Sequence, residues 1–199
     1  MDMKRPFYQD VSFWVLIFSN LLTAGIAAKE NWSLITLMMA YWLQSCIIGV
    51  FNFARILSVK EFSAETFFIN KKPVLSGEYV KIFAAIFFVF HYGFFHLVYA
   101  VFLLFFAFTS DSAVNITHIL IAGGIFLVDH AFSFSYNRKR DEKRTWKIPR
   151  LMFFPYARVI PMHFVIIAYG VLSPGKELLY LFLGLKTAAD AVMHVIEHG

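Results

Sequence analysis

Six apolar runs, each near the length that crosses a bilayer, constrain this chain more than any other feature. A hydrocarbon core takes roughly 20 apolar residues as a helix. Runs of that kind extend over about residues 11–28, 33–54, 79–108, 114–134, 151–172 and 176–198. The third is the longest and is expected to tilt or to project beyond the hydrocarbon. The runs are continuously apolar and lack the two-residue alternation of a membrane barrel, so they read as helices rather than strands. The expected architecture is all-α, a polytopic membrane helix bundle in which residues 1–199 form a single integral membrane domain. Composition agrees: 59% of the 199 residues are hydrophobic and 16% are charged, against about 45–50% and about 25% in a soluble domain. A water-soluble globule is excluded, and 25 Phe residues exclude a disordered tail.

The net charge of +5 would suit a nucleic-acid binder, but the positions of the basic residues argue against one. Lys4, Arg5, Arg55, Lys60, Lys71, Lys72, Lys81, Arg138, Lys139, Arg140, Lys143, Arg144, Lys147 and Arg150 fall at connections on one side of the bundle; Lys29 and Lys176 fall on the other. That split of 14 to 2 predicts both termini in the cytoplasm, in a multi-pass protein of the cell inner (cytoplasmic) membrane. Membrane lipids are the expected surroundings, with an apolar small molecule or lipid as substrate and no nucleic acid; monomer and oligomer are both compatible. Cys46 is the only cysteine, so there is no disulfide framework and no Cys-based metal motif. The first run is long enough to span and shows no small-residue cleavage site, which is not the pattern of a secretory leader.

Two connections on the basic side differ in character. Residues 56–78 are polar, contain Lys71-Lys72-Pro73, and read as an interfacial segment followed by a turn. Residues 137–150 are a charge run, expected to set topology and touch anionic headgroups. The sequons at Asn31 and Asn115 carry no weight, since such triplets arise by chance.

All seven His residues lie within or at the edge of the runs: His91, His96, His118, His130, His163, His194 and His198. Asp129, Asp190, Glu197, Arg158 and Lys186 join them. A charge at mid-bilayer costs at least about 2.5–3.5 kcal/mol, so such groups face the bundle interior and usually have a task. On a helix Lys186, Asp190, His194 and Glu197 share one stripe, with His198 beside it. Asp, His and Glu together offer hard oxygens and imidazole nitrogen, a set suited to zinc, iron or manganese. Depth counted at about 1.5 Å per residue brings His91, His130, Asp190 and His194 to similar levels. His96, His163 and Lys186 lie roughly 8 Å further outward by the same rise. Asp129 is placed to fix the tautomer of a neighbouring imidazole.

The expected metal ligands are therefore His91, His130, Asp190, His194, His198, His96 and His163, with Glu197 as ligand or catalytic base, and zinc or iron as the metal. A metal-free core of His–Asp and Lys–Asp pairs is the plain alternative. Heme b clamped between His91 and His163 is a further one, with Gly93, Gly123 and Gly124 allowing close approach. His118 reads as interfacial. Gln44, Asn52, Tyr92, Tyr99, Tyr136 and Tyr156 are expected to hydrogen-bond between helices. Pro155 and Pro161 should bend the fifth helix and free carbonyls, and Arg158 between them must pair with an acid or snorkel.

The segments His91-Tyr-Gly-Phe-Phe-His96, Asp129-His130, Pro155-Tyr156-Ala-Arg158-Val-Ile-Pro161-Met-His163 and Lys186-Thr-Ala-Ala-Asp190-Ala-Val-Met-His194-Val-Ile-Glu197-His198 resemble a family of prokaryotic integral membrane proteins known as a domain of unknown function. The resemblance implies six helices and no activity. His194-Val-Ile-Glu197-His198 is similar to the H-x-x-E-H pattern of inverzincin peptidases, which implies two His ligands and a Glu base. The same two histidines, with His91 as a third, are similar to the zinc ligands of alkaline-ceramidase and adiponectin-receptor membrane hydrolases. The leading expectation is a membrane metalloenzyme, either a metal-activated-water hydrolase or an iron-dependent oxidase. A proton- or metal-coupled transporter using the same residues as a relay is the alternative, and a heme-binding electron carrier is the third.

Overall fold

The computed structural model describes residues 7–60, 62–63, 68–69, 72–73, 78–110, 112–142, 145–171 and 176–198. Among these, six helices are long and apolar enough to cross a membrane: α1 (Val11–Lys29), α2 (Leu34–Ser58), α3 (Glu78–Thr109), α4 (Ile116–Asp141), α5 (Ile148–Val171) and α6 (Lys176–His198). They alternate in direction. The starts of α1, α3 and α5 therefore share one end of the bundle with the finishes of α2, α4 and α6, and most of the described Lys and Arg gather at this basic end.

The outer surface carries many large apolar side chains while polar groups turn inward. In α1 the buried face holds Ser12, Ser19, Asn20 and Thr23, while Trp14, Phe18 and Leu21 are exposed. Spacing of seven, eight and eleven residues keeps those polar groups on one helix face. Asn20 Nδ2 and Thr23 Oγ1 donate back to the carbonyls of Leu16 and Ser19, so part of their polarity is satisfied within the helix. α2 is the central element, packing against α3, α4 and α5. Its Gly49 lies under the ring of Tyr92, where an added Cβ would stand 2.7 Å from Cε1. The absence of a side chain there lets α2 and α3 approach.

α4 runs further than the apolar pattern predicts, through Asp141 instead of ending near Phe134. Arg138, Lys139 and Arg140 occupy its last turn, where positive charge complements the carbonyl end of the helix dipole. Arg55 Nε meets Asp141 Oδ2 at 2.9 Å, and its guanidinium lies 4.5 Å from the centroid of the Trp146 ring. The charge run is thus partly a helical extension tied to α2.

In the segment expected to be interfacial, three two-residue strands are described: β1 (Phe62–Ser63), β2 (Phe68–Ile69) and β3 (Lys72–Pro73). β2 and β3 pair antiparallel, while β1 pairs in parallel with β4 (Trp146–Lys147).

Pro155 and Pro161 both lie inside α5. Pro155 has no N–H to give the carbonyl four residues back, and that carbonyl, on Leu151, accepts from Asn52 Nδ2 at 3.1 Å. The expected freed carbonyl and the expected interhelical amide satisfy each other. At the opposite end His118 meets Glu30 at 2.8 Å and stacks on Trp32.

Candidate functional site

The helical repeat places Lys186, Asp190 and His194 on one face of α6, and all three side chains are buried. Lys186 Nζ donates to Asp190 Oδ1 at 2.6 Å, and Gln44 Nε2 donates to Asp190 Oδ2 at 3.3 Å. Lys186 Nζ also lies 5.7 Å from the Tyr41 ring centroid, within reach of its negative face. This arrangement is a fully desolvated ion pair with an amide and an aromatic ring around it.

One turn nearer the basic end, His194 Nε2 lies 3.2 Å from Ser12 Oγ and 3.6 Å from Asp10 Oδ2. Asp10 is the N-cap of α1, and its Oδ1 accepts from both the Ser12 N–H and the Ser12 hydroxyl, at 3.0 and 2.6 Å. Asn137 Nδ2 donates to Ser12 Oγ at 3.0 Å. The one hydroxyl proton of Ser12 goes to Asp10, so its contact with His194 calls for a proton on Nε2. Burial alone would raise the pKa of Asp10. Hydrogen bonding from His194 and Ser12 and the attraction of the imidazole outweigh it and lower the carboxyl to about 2.

α4 supplies Asp129 and His130, and α5 supplies Arg158; all are buried. Asp129 Oδ2 lies 3.3 Å from His130 Nδ1, but neither Asp129 oxygen accepts a hydrogen bond, and His130 Nε2 has no partner. The charges of Arg158, Asp190, Lys186 and His194 all act on the His130 ring, so the groups form one electrostatic unit. A cavity of about 70 Å³ reaches this unit from the basic end, lined among others by Asn52, Arg55, His130, Asn137, Asp141 and Arg158.

The fold therefore brings His130, Asp190 and His194 together with Asp129, Lys186 and Arg158. It places the remaining predicted ligands elsewhere. His91 and His163 are exposed and bond to Tyr156 and Tyr99 at 2.6 and 2.5 Å. His96 is buried beside Tyr92, its Nδ1 bonded to the Tyr92 carbonyl. The Glu197 and His198 side chains lie outside the described residues. Among the described residues, no group of three or more His, Cys, Asp or Glu is placed to hold a metal ion.

Asp10, Ser12, Asn137 and Tyr41 are the members that sequence reasoning missed. Asp10-Val-Ser12 at the head of the first apolar run is an N-cap signature. That signature marks a helix start, and only the fold shows it facing α6.

A bundle of six apolar helices around a buried acid–base network defines a protein of multi-pass membrane type. The chain belongs to a family of unknown function, DUF6498, whose profile matches residues 2–199. No curated protein and no solved structure matches it, so the likeness to ceramidase-type hydrolases gains no support from these comparisons.

Proposed function

We propose that this is a protein of the cytoplasmic membrane, with both termini in the cytoplasm, that carries protons across the membrane as part of transport, its buried acid–base groups supplying the path from the cytoplasmic face to mid-membrane. The orientation follows the basic-residue asymmetry. The observation that carries the reading is three buried groups of ionisable side chains, Asp10 with Ser12 and His194, Asp129 with His130, and Asp190 with Lys186, with His130 in electrostatic range of Asp190, Lys186 and His194. Buried ionisable residues in membrane helices typically line ion pathways and proton relays. Lys186 lies 12 residues from the end of α6, or about 18 Å at the helical rise. That depth is near the middle of a hydrocarbon core about 30 Å thick.

The cavity beside His130 is half polar in its lining and has room for a few water molecules, which would connect the imidazole to the basic end. Asp129, with no hydrogen bond to hold either oxygen, is the acceptor next in line. Asp190 accepts from both Lys186 and Gln44, and a proton arriving there would weaken both contacts. That provides a local change by which protonation could alter helix packing.

A second reading rests on the same bare atoms. Both Asp129 oxygens and His130 Nε2 are donors that would suit a zinc or iron ion, which would supply Lewis acidity to a membrane metalloenzyme. Elemental analysis of protein purified without added metal separates the two. The relay reading predicts no stoichiometric zinc or iron and proton flux in proteoliposomes above that of protein-free vesicles. Stoichiometric metal with no flux would replace it with the metalloenzyme.

A further inference from the structure

His91 lies 13 residues into the 32-residue α3, about 20 Å from its start and near mid-span, yet it is exposed on the outer surface of the bundle. An imidazole facing hydrocarbon at that depth is costly. Two features temper the cost. Tyr156 OH, from α5, lies 2.6 Å from His91 Nδ1, and the pair forms one wall of an apolar groove of about 570 Å³ between α3 and α5. Phe83, Phe87, Met152 and Phe153 complete much of the lining. Phe87 stacks on the His91 ring at 5.3 Å and 15°, with Phe95 set edge-on.

The His–Tyr bond leaves one proton unspent in either form. If Tyr156 donates to Nδ1, the neutral imidazole keeps its N–H on Nε2; if Nδ1 donates, the phenol keeps its O–H. The groove therefore offers a hydrogen-bond donor among flat aromatic faces, and its volume is that of a small-molecule site. A membrane-soluble molecule with a planar ring and a carbonyl oxygen meets all of these conditions. We infer that the α3–α5 groove binds a lipid-soluble quinone, its ring against Phe87 and Tyr156 and a ring carbonyl accepting from the His91–Tyr156 pair.

A second pair, Tyr99 with His163, borders an adjoining space of about 220 Å³ that shares Phe95 and Tyr156 with the first. On α3 the two pairs are eight residues apart, about 12 Å. One quinone ring cannot reach both, and the larger space takes the ring. This assignment is independent of the proton-relay reading, whose residues lie inside the bundle.

The test is calorimetric titration of the purified full-length protein with a decyl-tailed benzoquinone. Saturable binding is expected, weakened about tenfold or more by the double variant His91→Leu/Tyr156→Phe, which removes the donor in either form, in line with loss of one buried hydrogen bond. His91→Gln/Tyr156→Phe, which retains an N–H donor, should restore most of the affinity, and His163→Leu should leave it unchanged. His91 and His163 face hydrocarbon, so the leucine variants keep the bundle packing, and retained thermal stability checks this. Absence of saturable binding, equal affinity in wild type and His91→Leu/Tyr156→Phe, or displacement of the quinone by monoolein at matched concentration would overturn the assignment. The last result would identify a general acyl-ester groove.

Discussion

Removing the positive member of the Lys186–Asp190 pair measures what the buried network contributes to the fold. An exposed i,i+4 pair on a helix is worth about 0.3–0.5 kcal/mol, and breaking such a pair would be hard to detect. Here both partners are fully buried and the contact is 2.6 Å. Lys186→Met leaves the Asp190 carboxylate in a desolvated site, accepting from the Gln44 amide. Uncompensated buried charges of this kind cost about 3–5 kcal/mol. For a chain of this size that corresponds to a loss of roughly 6–20 °C in melting temperature. The double variant Lys186→Met/Asp190→Asn removes the stranded charge and keeps an acceptor for Gln44, so it should recover most of the loss. Cys46 is the only thiol and is half-buried, so a thiol-reactive fluorophore reports unfolding in detergent. The reasoning fails if the single variant melts within a degree or two of wild type, or if the double variant is as unstable as the single.

Other perturbations follow from particular contacts. Asn52→Leu strands the Leu151 carbonyl freed by Pro155 and should cost about 1–3 kcal/mol, measured by the same melting assay. Gly49→Ala should be destabilising by about 1–3 kcal/mol, because the Tyr92 ring in its path is anchored by a bond to the Ser45 carbonyl and by stacking on Phe88. Gly123→Ala meets only the flexible end of Leu43 and should cost less. Asp10 is lowered from its ordinary 3.8 to about 2; its stabilising contribution is full above the ordinary value and disappears as the pH falls through 2. Asp10→Asn should flatten that acid limb of a stability–pH profile.

The six spans were legible because hydrocarbon thickness imposes a length on each apolar run, and no competing fold explains six of them. The finish of α4 was not, because Arg138 to Asp141 read as a solvated charge run. Their helical role depends on Arg55 from another helix. The stripe on α6 was legible from its i,i+4 spacing alone. What met that stripe was not. Counting depth put His91 level with His130, and depth says nothing about which helices are neighbours. α3 packs against α2 and α5, which places His91 and His163 on an outer groove. Asp10 escaped notice for the opposite reason: it precedes the first apolar run, and its partner His194 is 184 positions away in the chain.

The central claim is that the buried acid–base series carries protons, and Asp129→Asn tests it most directly. The substitution is isosteric and neither carboxyl oxygen accepts a hydrogen bond, so the fold should be unaffected while a titratable group is lost. Proton uptake by proteoliposomes under an imposed pH gradient, read with an internal pH dye, should exceed that of protein-free vesicles for the wild type. It should fall to the protein-free rate for Asp129→Asn at unchanged melting temperature. Equal uptake by wild type, variant and protein-free vesicles would contradict the account, as would a wild-type flux that Asp129→Asn leaves intact.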